Sequence, residues 1–108
     1  MIQYTKTHPI TKQKYVGRTS GTSDPFKNIE IRDKHHHKNK EGFGPARLDK
    51  SSDNPDAIRG QEQFMIDQVG GAQSHGGTSG NKINGISSNN PNRKRYEEER
   101  RKEFGEEP

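Results

Sequence analysis

The chain has 108 residues, enough for one small domain, and only 21% of them are hydrophobic, so any core is thin. The 19 basic and 15 acidic residues leave a net charge of +4, which is too small for self-repulsion to prevent folding. The absence of cysteine excludes disulfides and thiolate metal sites, and no apolar run is long enough for a membrane span or a signal-peptide core.

Two short strands are predicted at the start of the chain, over residues 2–6 and 14–16, because β-branched and aromatic residues are concentrated there. Each strand carries a tyrosine, Tyr4 in the first and Tyr15 in the second. The second strand runs into the glycine-bearing polar turn GRTSG. Tyrosine on a strand is more often a packing residue than a chemical one, so packing is the alternative interpretation of both side chains.

Three helices are predicted next, because three segments open with Asp or Asn followed by Pro. The Asp or Asn side chain accepts hydrogen bonds from free helix N–H groups, and proline loses no helical hydrogen bond at the first helical position. The predicted helices cover residues 25–37, 55–69 and 91–104. Residues 38–54 are predicted to be a polar loop, and the Gly-, Ser- and Asn-rich segment before the third helix is predicted to be a long loop with a short strand at 82–86. Together these elements predict one α+β domain, with a small antiparallel or mixed three-stranded sheet flanked by about three helices.

Glu62 interrupts the apolar stripe of the middle predicted helix. At about 100° per residue it lies among the apolar residues Ile58, Met65, Ile66 and Val69. A carboxylate facing a core or a cleft is unfavourable unless it is paired, so Glu62 needs either an arginine or a metal ion. The structural alternative is an ion pair with Arg59 or another arginine.

Arg32 and His36 are four residues apart in the first predicted helix and are therefore expected to share a face. An arginine can hold a phosphate by a bidentate contact, and a histidine can move a proton. The alternative is a solvated helix end whose cations complement the helix dipole. In the late loop, the asparagines are typical of turns; they are Asn81, Asn84, Asn89 and Asn90.

Taken together, these residues resemble the GIY-YIG nuclease family over nearly the whole chain. In that family, two strands each carry a tyrosine, a first helix carries an arginine, a later helix carries a metal-binding glutamate, and an asparagine often follows. "IQYTK" stands where the first motif belongs, and "KYVGRTSG" matches the second motif. The matching positions are Tyr4, Tyr15, Gly17, Arg32, His36, Glu62 and either Asn84 or Asn90.

The resemblance implies a metal-dependent endonuclease, with DNA the more common substrate in the family. Glu62 would hold one Mg²⁺ or Mn²⁺ ion, since oxygen ligands suit hard cations. Arg32 would stabilise charge on the phosphate, and Tyr4 or His36 would deprotonate or orient the attacking water. Tyr15 would be a catalytic residue packed near the scissile phosphate, and nucleic-acid contacts would come from Gly17, Arg18, Asn84 and Asn90.

The layout also resembles the nuclease modules at the C-terminal ends of bacterial polymorphic toxins. This resemblance implies that residues 1–108 are a single domain excised from a larger toxin polypeptide and delivered as an effector into the cytoplasm of a target cell. An acidic immunity protein would then cover the basic domain, whose isoelectric point is near 9.4. Toxin modules also attack tRNA, so an RNA substrate stays an alternative. No membrane partner is expected.

Two rival interpretations remain open. In the first, His35, His36 and His37 form a ββα-metal (HNH-like) site, in which one histidine activates water and the others bind the metal. In the second, the chain is a non-enzymatic basic nucleic-acid-binding module or a partly disordered basic segment, with "NRKRYEEERRKEF" as the contact element. That segment mixes both charge signs at helical spacing, which is typical of a solvated helix face.

Overall fold

We describe the fold from a computed structural model that covers residues 1–20, 24–34 and 36–105, without the side chains at positions 25, 37 and 40. In chain order the elements are β1 (Ile2–Thr7), β2 (Lys14–Thr19), α1 (Pro25–Lys34), a 3-10 turn (His37–Glu41), β3 (Arg47–Ser51), α2 (Pro55–Gln68), a second 3-10 turn (Gln73–His75) and α3 (Arg93–Phe104). Over these described ranges, three antiparallel strands and three α-helices confirm the predicted α+β class.

The sheet has the order β2-β1-β3, so β1 is its central strand. In the antiparallel pairing of β1 with β2, Tyr4 lies opposite Gly17 and Lys6 lies opposite Tyr15. Directly opposed residues project their side chains to the same face of a sheet. Tyr4 and Tyr15 therefore share one face, and Val16 points to the other.

The third strand is not where the sequence predicts it. Residues 82–86 contain bends and no strand, whereas β3 lies at Arg47–Ser51, inside the segment predicted to be a loop. The pairing of β3 with β1 contains an irregularity between Gln3 and Tyr4, and the Asp49 side chain supports the pairing at this point. The Asp49 Oδ2 atom accepts hydrogen bonds from Gln3 Nε2 at 2.7 Å and from Thr5 Oγ1 at 2.5 Å. Polar contacts with the neighbouring strand, rather than apolar alternation, therefore favour this strand.

The first predicted helix is too long. α1 ends at Lys34, and His36 has an extended backbone with φ −71° and ψ 134°. The His36 Nδ1 atom accepts a hydrogen bond from the Lys38 N–H at 3.1 Å, which caps the 3-10 turn that follows. Arg32 and His36 therefore do not share a helix face, and the prediction based on their spacing is wrong.

The second predicted helix is found with its predicted start. The Asn54 Oδ1 atom accepts hydrogen bonds from the N–H groups of Asp56 at 3.1 Å and Ala57 at 3.3 Å, as the Asn-Pro pair predicts. α3 begins at Arg93, two residues later than predicted, and packs on α2. Gly60 allows this contact, because a Cβ atom at that position would overlap the Tyr96 carbonyl oxygen. Among the described helices, none combines the length and apolar character needed to cross a membrane.

Two small apolar clusters hold helices on opposite faces of the sheet. On the face that carries the tyrosines, Ile2 and Tyr4 of β1 pack with Ile29 of α1. On the other face, Val16 of β2 packs with Ile66 of α2 and with Ala72. β2 is one of the two edge strands, and residues from both faces of the sheet, Tyr15 and Ile66 among them, line a cleft along its free edge.

Candidate active site

Tyr4 lies at the centre of a buried polar cluster. The whole residue is 0% exposed, and its hydroxyl lies 2.8 Å from His36 Nε2. The Arg32 Nε–H group donates a hydrogen bond to the same hydroxyl at 3.3 Å. The structure therefore brings together three of the predicted site residues, from β1, from α1 and from the segment after α1.

Gly17 makes room for the Tyr4 ring. A Cβ atom at position 17 would lie 2.5 Å from both Cζ and the hydroxyl oxygen of Tyr4, a distance shorter than any normal contact. The two residues are directly opposed across β1 and β2, so the ring lies over the glycine. The glycine of the "YVG" stretch therefore has a packing role in the cluster, in addition to any contact with a ligand.

Tyr15 lies beside the same cluster and reaches the surface. Its ring meets the His36 ring edge-on, with 5.1 Å between the centroids, and the Lys38 ammonium lies 5.3 Å from its centroid. Burial raises the pKa of Tyr15 to about 12, with smaller contributions from Tyr4 and from the negative charge of Glu62. Burial also raises the pKa of Tyr4, although the hydrogen bond from Arg32 opposes this change. Both phenols therefore hold their protons at neutral pH.

Glu62 faces inward, as its place in the apolar stripe predicts. The residue is 9% exposed, and its Oε1 atom accepts a hydrogen bond from Arg18 Nε at 3.3 Å. Burial raises the pKa of Glu62, while the positive charges of Arg18 and then Arg59 oppose the change. The loop at Gly85 passes so close that a Cβ atom there would overlap the carboxylate. The structural alternative, in which Glu62 forms an ion pair with an arginine, is thus present in the structure. The arginine is Arg18 on β2.

A cleft of about 450 Å³ opens along the edge of β2. The polar residues that line it are Tyr15, Arg18, Glu62, Asn81 and Asn84. Glu62 and Tyr15 line the same cleft, and the negative charge of the carboxylate contributes to the raised pKa of Tyr15. One cleft therefore combines a buried carboxylate, a guanidinium and a protonated phenol.

Asn81 has a role in this cleft that the sequence did not indicate. Its Oδ1 atom accepts a hydrogen bond from the Val16 N–H at 2.8 Å, and its Nδ2 group donates one to the Val16 carbonyl at 2.7 Å. The amide thus takes the place of a neighbouring strand at the free edge of β2. The only signal that could have indicated this role is that the Asn81 amide offers one donor and one acceptor, as an unpaired strand edge requires. The strand that it meets lies 65 residues away in the chain.

The two asparagines matched to the family motif lie in different places. Asn84 lines the cleft, and its Oδ1 atom accepts a hydrogen bond from Gln63 Nε2 at 2.9 Å. Asn90 lies ahead of α3, where its Oδ1 atom accepts a hydrogen bond from the Asn92 N–H at 2.8 Å. The geometry therefore favours Asn84 over Asn90 as a residue of the candidate site.

The oxygen atoms of the cleft fit a magnesium ion that would be held mainly by substrate phosphates and water. Among the residues with described side chains, no group of three or more His, Cys, Asp or Glu residues is close enough to hold a metal. Mg²⁺ does not require such a group, since one carboxylate together with substrate phosphates and water is a common arrangement. Glu62 would supply that carboxylate, since it lines the cleft of about 450 Å³.

The histidine-metal interpretation finds little to support it among the described side chains. His35 lies outside the described residues, and so does the side chain of His37. The two ring nitrogens of His36 contact the Lys38 N–H and the Tyr4 hydroxyl. His36 therefore has no ring nitrogen directed at a metal in this arrangement.

Comparison with known proteins adds no relative. No protein-family model matches the chain, and no curated protein or solved structure matches it significantly.

Proposed function

We propose that this domain is a metal-dependent endonuclease that hydrolyses phosphodiester bonds in DNA. One observation carries the proposal: a buried carboxylate, Glu62, opens into a cleft that also holds a guanidinium and a protonated phenol, beside a buried Tyr4–His36–Arg32 cluster. The resemblance to the GIY-YIG nucleases supports it, because the residues of this cleft and cluster occupy positions that match the motifs of that family.

The burial of Glu62 favours a catalytic role over a purely structural one. A buried ion pair is weak grounds for stability, since removing two charges from water is unfavourable. Polar residues that are unfavourable for folding are concentrated at functional sites. When bound at Glu62, a divalent ion would stabilise the charge that builds on the phosphate oxygens and would make a bound water more acidic. Arg18 would then be released to contact the phosphate directly.

The two tyrosines have different roles in the proposed reaction. Tyr4 is 0% exposed and His36 is 2% exposed, so neither reaches the surface of the cleft. We assign these two residues and Arg32 to the positioning of Tyr15, whose ring packs against His36. Tyr15 lines the cleft and keeps its proton, so its hydroxyl serves to orient the attacking water or a phosphate oxygen.

The direct test is incubation of the domain with supercoiled plasmid and, separately, with total tRNA. Each reaction is run with Mg²⁺, with Mn²⁺ and with a chelator, using the wild type and Glu62→Gln. We expect nicking and linearisation of the plasmid only with metal, and a loss of at least about 100-fold in Glu62→Gln. The matched control is Glu97→Gln, because Glu97 also pairs with an arginine at 3.3 Å but lies half-exposed on α3. Cleavage that survives the Glu62→Gln change, or that is absent from both nucleic acids, would overturn the proposal.

The resemblance to the C-terminal nuclease modules of polymorphic toxins supports a proposal about the wider biological role. We propose that the domain acts as an interbacterial toxin effector inside a target cell, and that an acidic immunity protein covers its basic surface in the producing cell. The isoelectric point near 9.4 supports an acidic partner. Expression of the wild-type domain alone should arrest growth, whereas Glu62→Gln should not. Normal growth with the wild-type domain would count against the toxin role, even if purified protein cleaves DNA.

A further inference from the structure

A second groove continues from the candidate active site. It has a volume of about 390 Å³ and shares three lining residues with the first cleft. The shared residues are Tyr15, Asn81 and Ile83. Each groove falls in the size range that binds small organic groups, so the two together suit neighbouring units of a polymer.

Ile83 stands between the two grooves with 72% of its surface exposed. The segment that carries Ile83 is anchored by hydrogen bonds on both sides of it. Asn81 is bonded to the Val16 backbone, and Gln63 contacts both Asn84 and the N–H of Ile86. The isoleucine is therefore an apolar side chain presented to solvent on an anchored loop, beside the phenol of the candidate site.

The charges around the second groove suit a phosphate at its outer side. Lys82 is exposed, lines the groove next to Ile83 and makes no ion pair with any described residue. Lys38 and Glu41 also line the groove, but their charges are paired with each other, because the Lys38 ammonium contacts the Glu41 carboxylate at 3.1 Å; the ammonium also lies over the Tyr15 ring. Lys82 therefore carries the positive charge that is available to an incoming ligand.

We propose that this second groove is a nucleotide subsite adjacent to the scissile phosphate. Ile83 packs against the base or sugar of the neighbouring nucleotide, and Lys82 binds its phosphate. Apolar side chains inserted beside bases are an established way to hold a nucleic-acid strand, and lysine contacts to phosphate add affinity without reading sequence. The inference rests on the proposed nuclease function and assigns the path of the substrate strand away from Glu62.

The test measures binding separately from cleavage. Fluorescence anisotropy with labelled single-stranded and duplex DNA is recorded at several salt concentrations, using Glu62→Gln protein with a chelator. In that background, Ile83→Ser should weaken binding by about 5- to 10-fold with an unchanged salt dependence. Lys82→Gln should weaken binding and reduce the slope of log affinity against log salt by about 1.

Matched controls lie on other surfaces of the domain. Ile10→Ser removes an isoleucine that is 84% exposed on the turn between β1 and β2, and Lys94→Gln removes an exposed charge on α3. Both should leave affinity and salt slope within about 2-fold and 0.3 of the parent protein. Circular dichroism melts check that each variant is folded, which is expected because all four side chains are at the surface.

The outcomes separate this inference from the proposed function. If the wild type cleaves DNA but Ile83→Ser and Lys82→Gln bind like their controls, the subsite is wrong and the nuclease function stands. If the Glu62→Gln protein binds no nucleic acid and the wild type cleaves none, both proposals fail. A selective loss of affinity in the two groove variants supports the subsite.

Discussion

The ion pair between Arg18 and Glu62 allows the catalytic and structural interpretations of Glu62 to be separated by stability alone. Its two partners differ in burial, since the Glu62 side chain is almost enclosed whereas that of Arg18 is 36% exposed. If the carboxylate is retained for metal binding, removing its charge should stabilise the fold. If the pair is a structural contact, removing either partner should destabilise it. We expect Glu62→Gln to stabilise and Arg18→Gln to destabilise the metal-free protein.

The expected magnitudes follow from the burial of each partner. Burial disfavours the ionised form of Glu62, and the Arg18 left behind by Glu62→Gln is 36% exposed and stays solvated, so this substitution should raise the free energy of unfolding by about 1 kcal/mol. In a domain of this size that change raises Tm by roughly 4–8 °C. Removing one partner of a fully buried pair costs about 3–5 kcal/mol, whereas an exposed pair contributes about 0–1 kcal/mol. Because Arg18 is more than one-third exposed, Arg18→Gln should cost about 2 kcal/mol.

The effect should also depend on pH. Burial raises the pKa of Glu62 in the folded protein, so the folded state binds this proton more tightly than the unfolded state. Wild-type stability therefore falls relative to Glu62→Gln as the pH rises from the ordinary range of glutamate through the folded-state pKa. At acid pH the two proteins should have nearly the same stability, and above the folded-state pKa of Glu62 the difference should be complete.

Urea denaturation followed by circular dichroism, in chelator and from pH 4 to pH 9, measures these differences. Glu97→Gln provides the baseline, because the Arg93–Glu97 pair has the same 3.3 Å separation but lies half-exposed on α3. It should change stability by less than about 0.5 kcal/mol at every pH. If Glu62→Gln at pH 8 is destabilised as much as Arg18→Gln, the carboxylate is a structural element, and the reasoning that assigns it to catalysis is refuted.

Three further predictions concern the surroundings of Glu62. Gly17→Ala places a Cβ atom 2.5 Å from the Tyr4 ring, so it should cost about 1–3 kcal/mol in urea unfolding and reduce plasmid cleavage; unchanged cleavage would show that the ring position is unimportant. Asn81→Ala leaves the Val16 N–H and carbonyl without their edge partner and should cost about 1–3 kcal/mol in the same assay, whereas a neutral effect would mean that the edge does not need the amide. Because the pKa of Tyr15 is raised from 10.0 to about 12, its phenol keeps its proton at pH 9, and the cleavage rate of the wild type should show no inflection near pH 10. An inflection near pH 10 that is present in the wild type and absent from Tyr15→Phe would contradict the assignment.

Local chemistry in the sequence determined the helix start at Asn54, the two tyrosine-bearing strands and the inward direction of Glu62. Each of these depends on residues that are close together in the chain. The Asn-Pro pair satisfies the first N–H groups of α2, and the 3.6-residue period places Glu62 among apolar neighbours. For the same reason, the α+β class could be predicted from the order of these elements.

The tertiary structure alone decided which distant groups complete the site. β3 has almost no apolar alternation, so its pairing depends on Asp49 reaching the Gln3 and Thr5 side chains of β1. The pairing of Arg18 with Glu62 and the closure of the β2 edge by Asn81 join segments 44 and 65 residues apart. Hydrogen bonds of this kind depend on position in space and have no period in the sequence, which is why the sequence predicted the candidate residues but not the partner that each one meets.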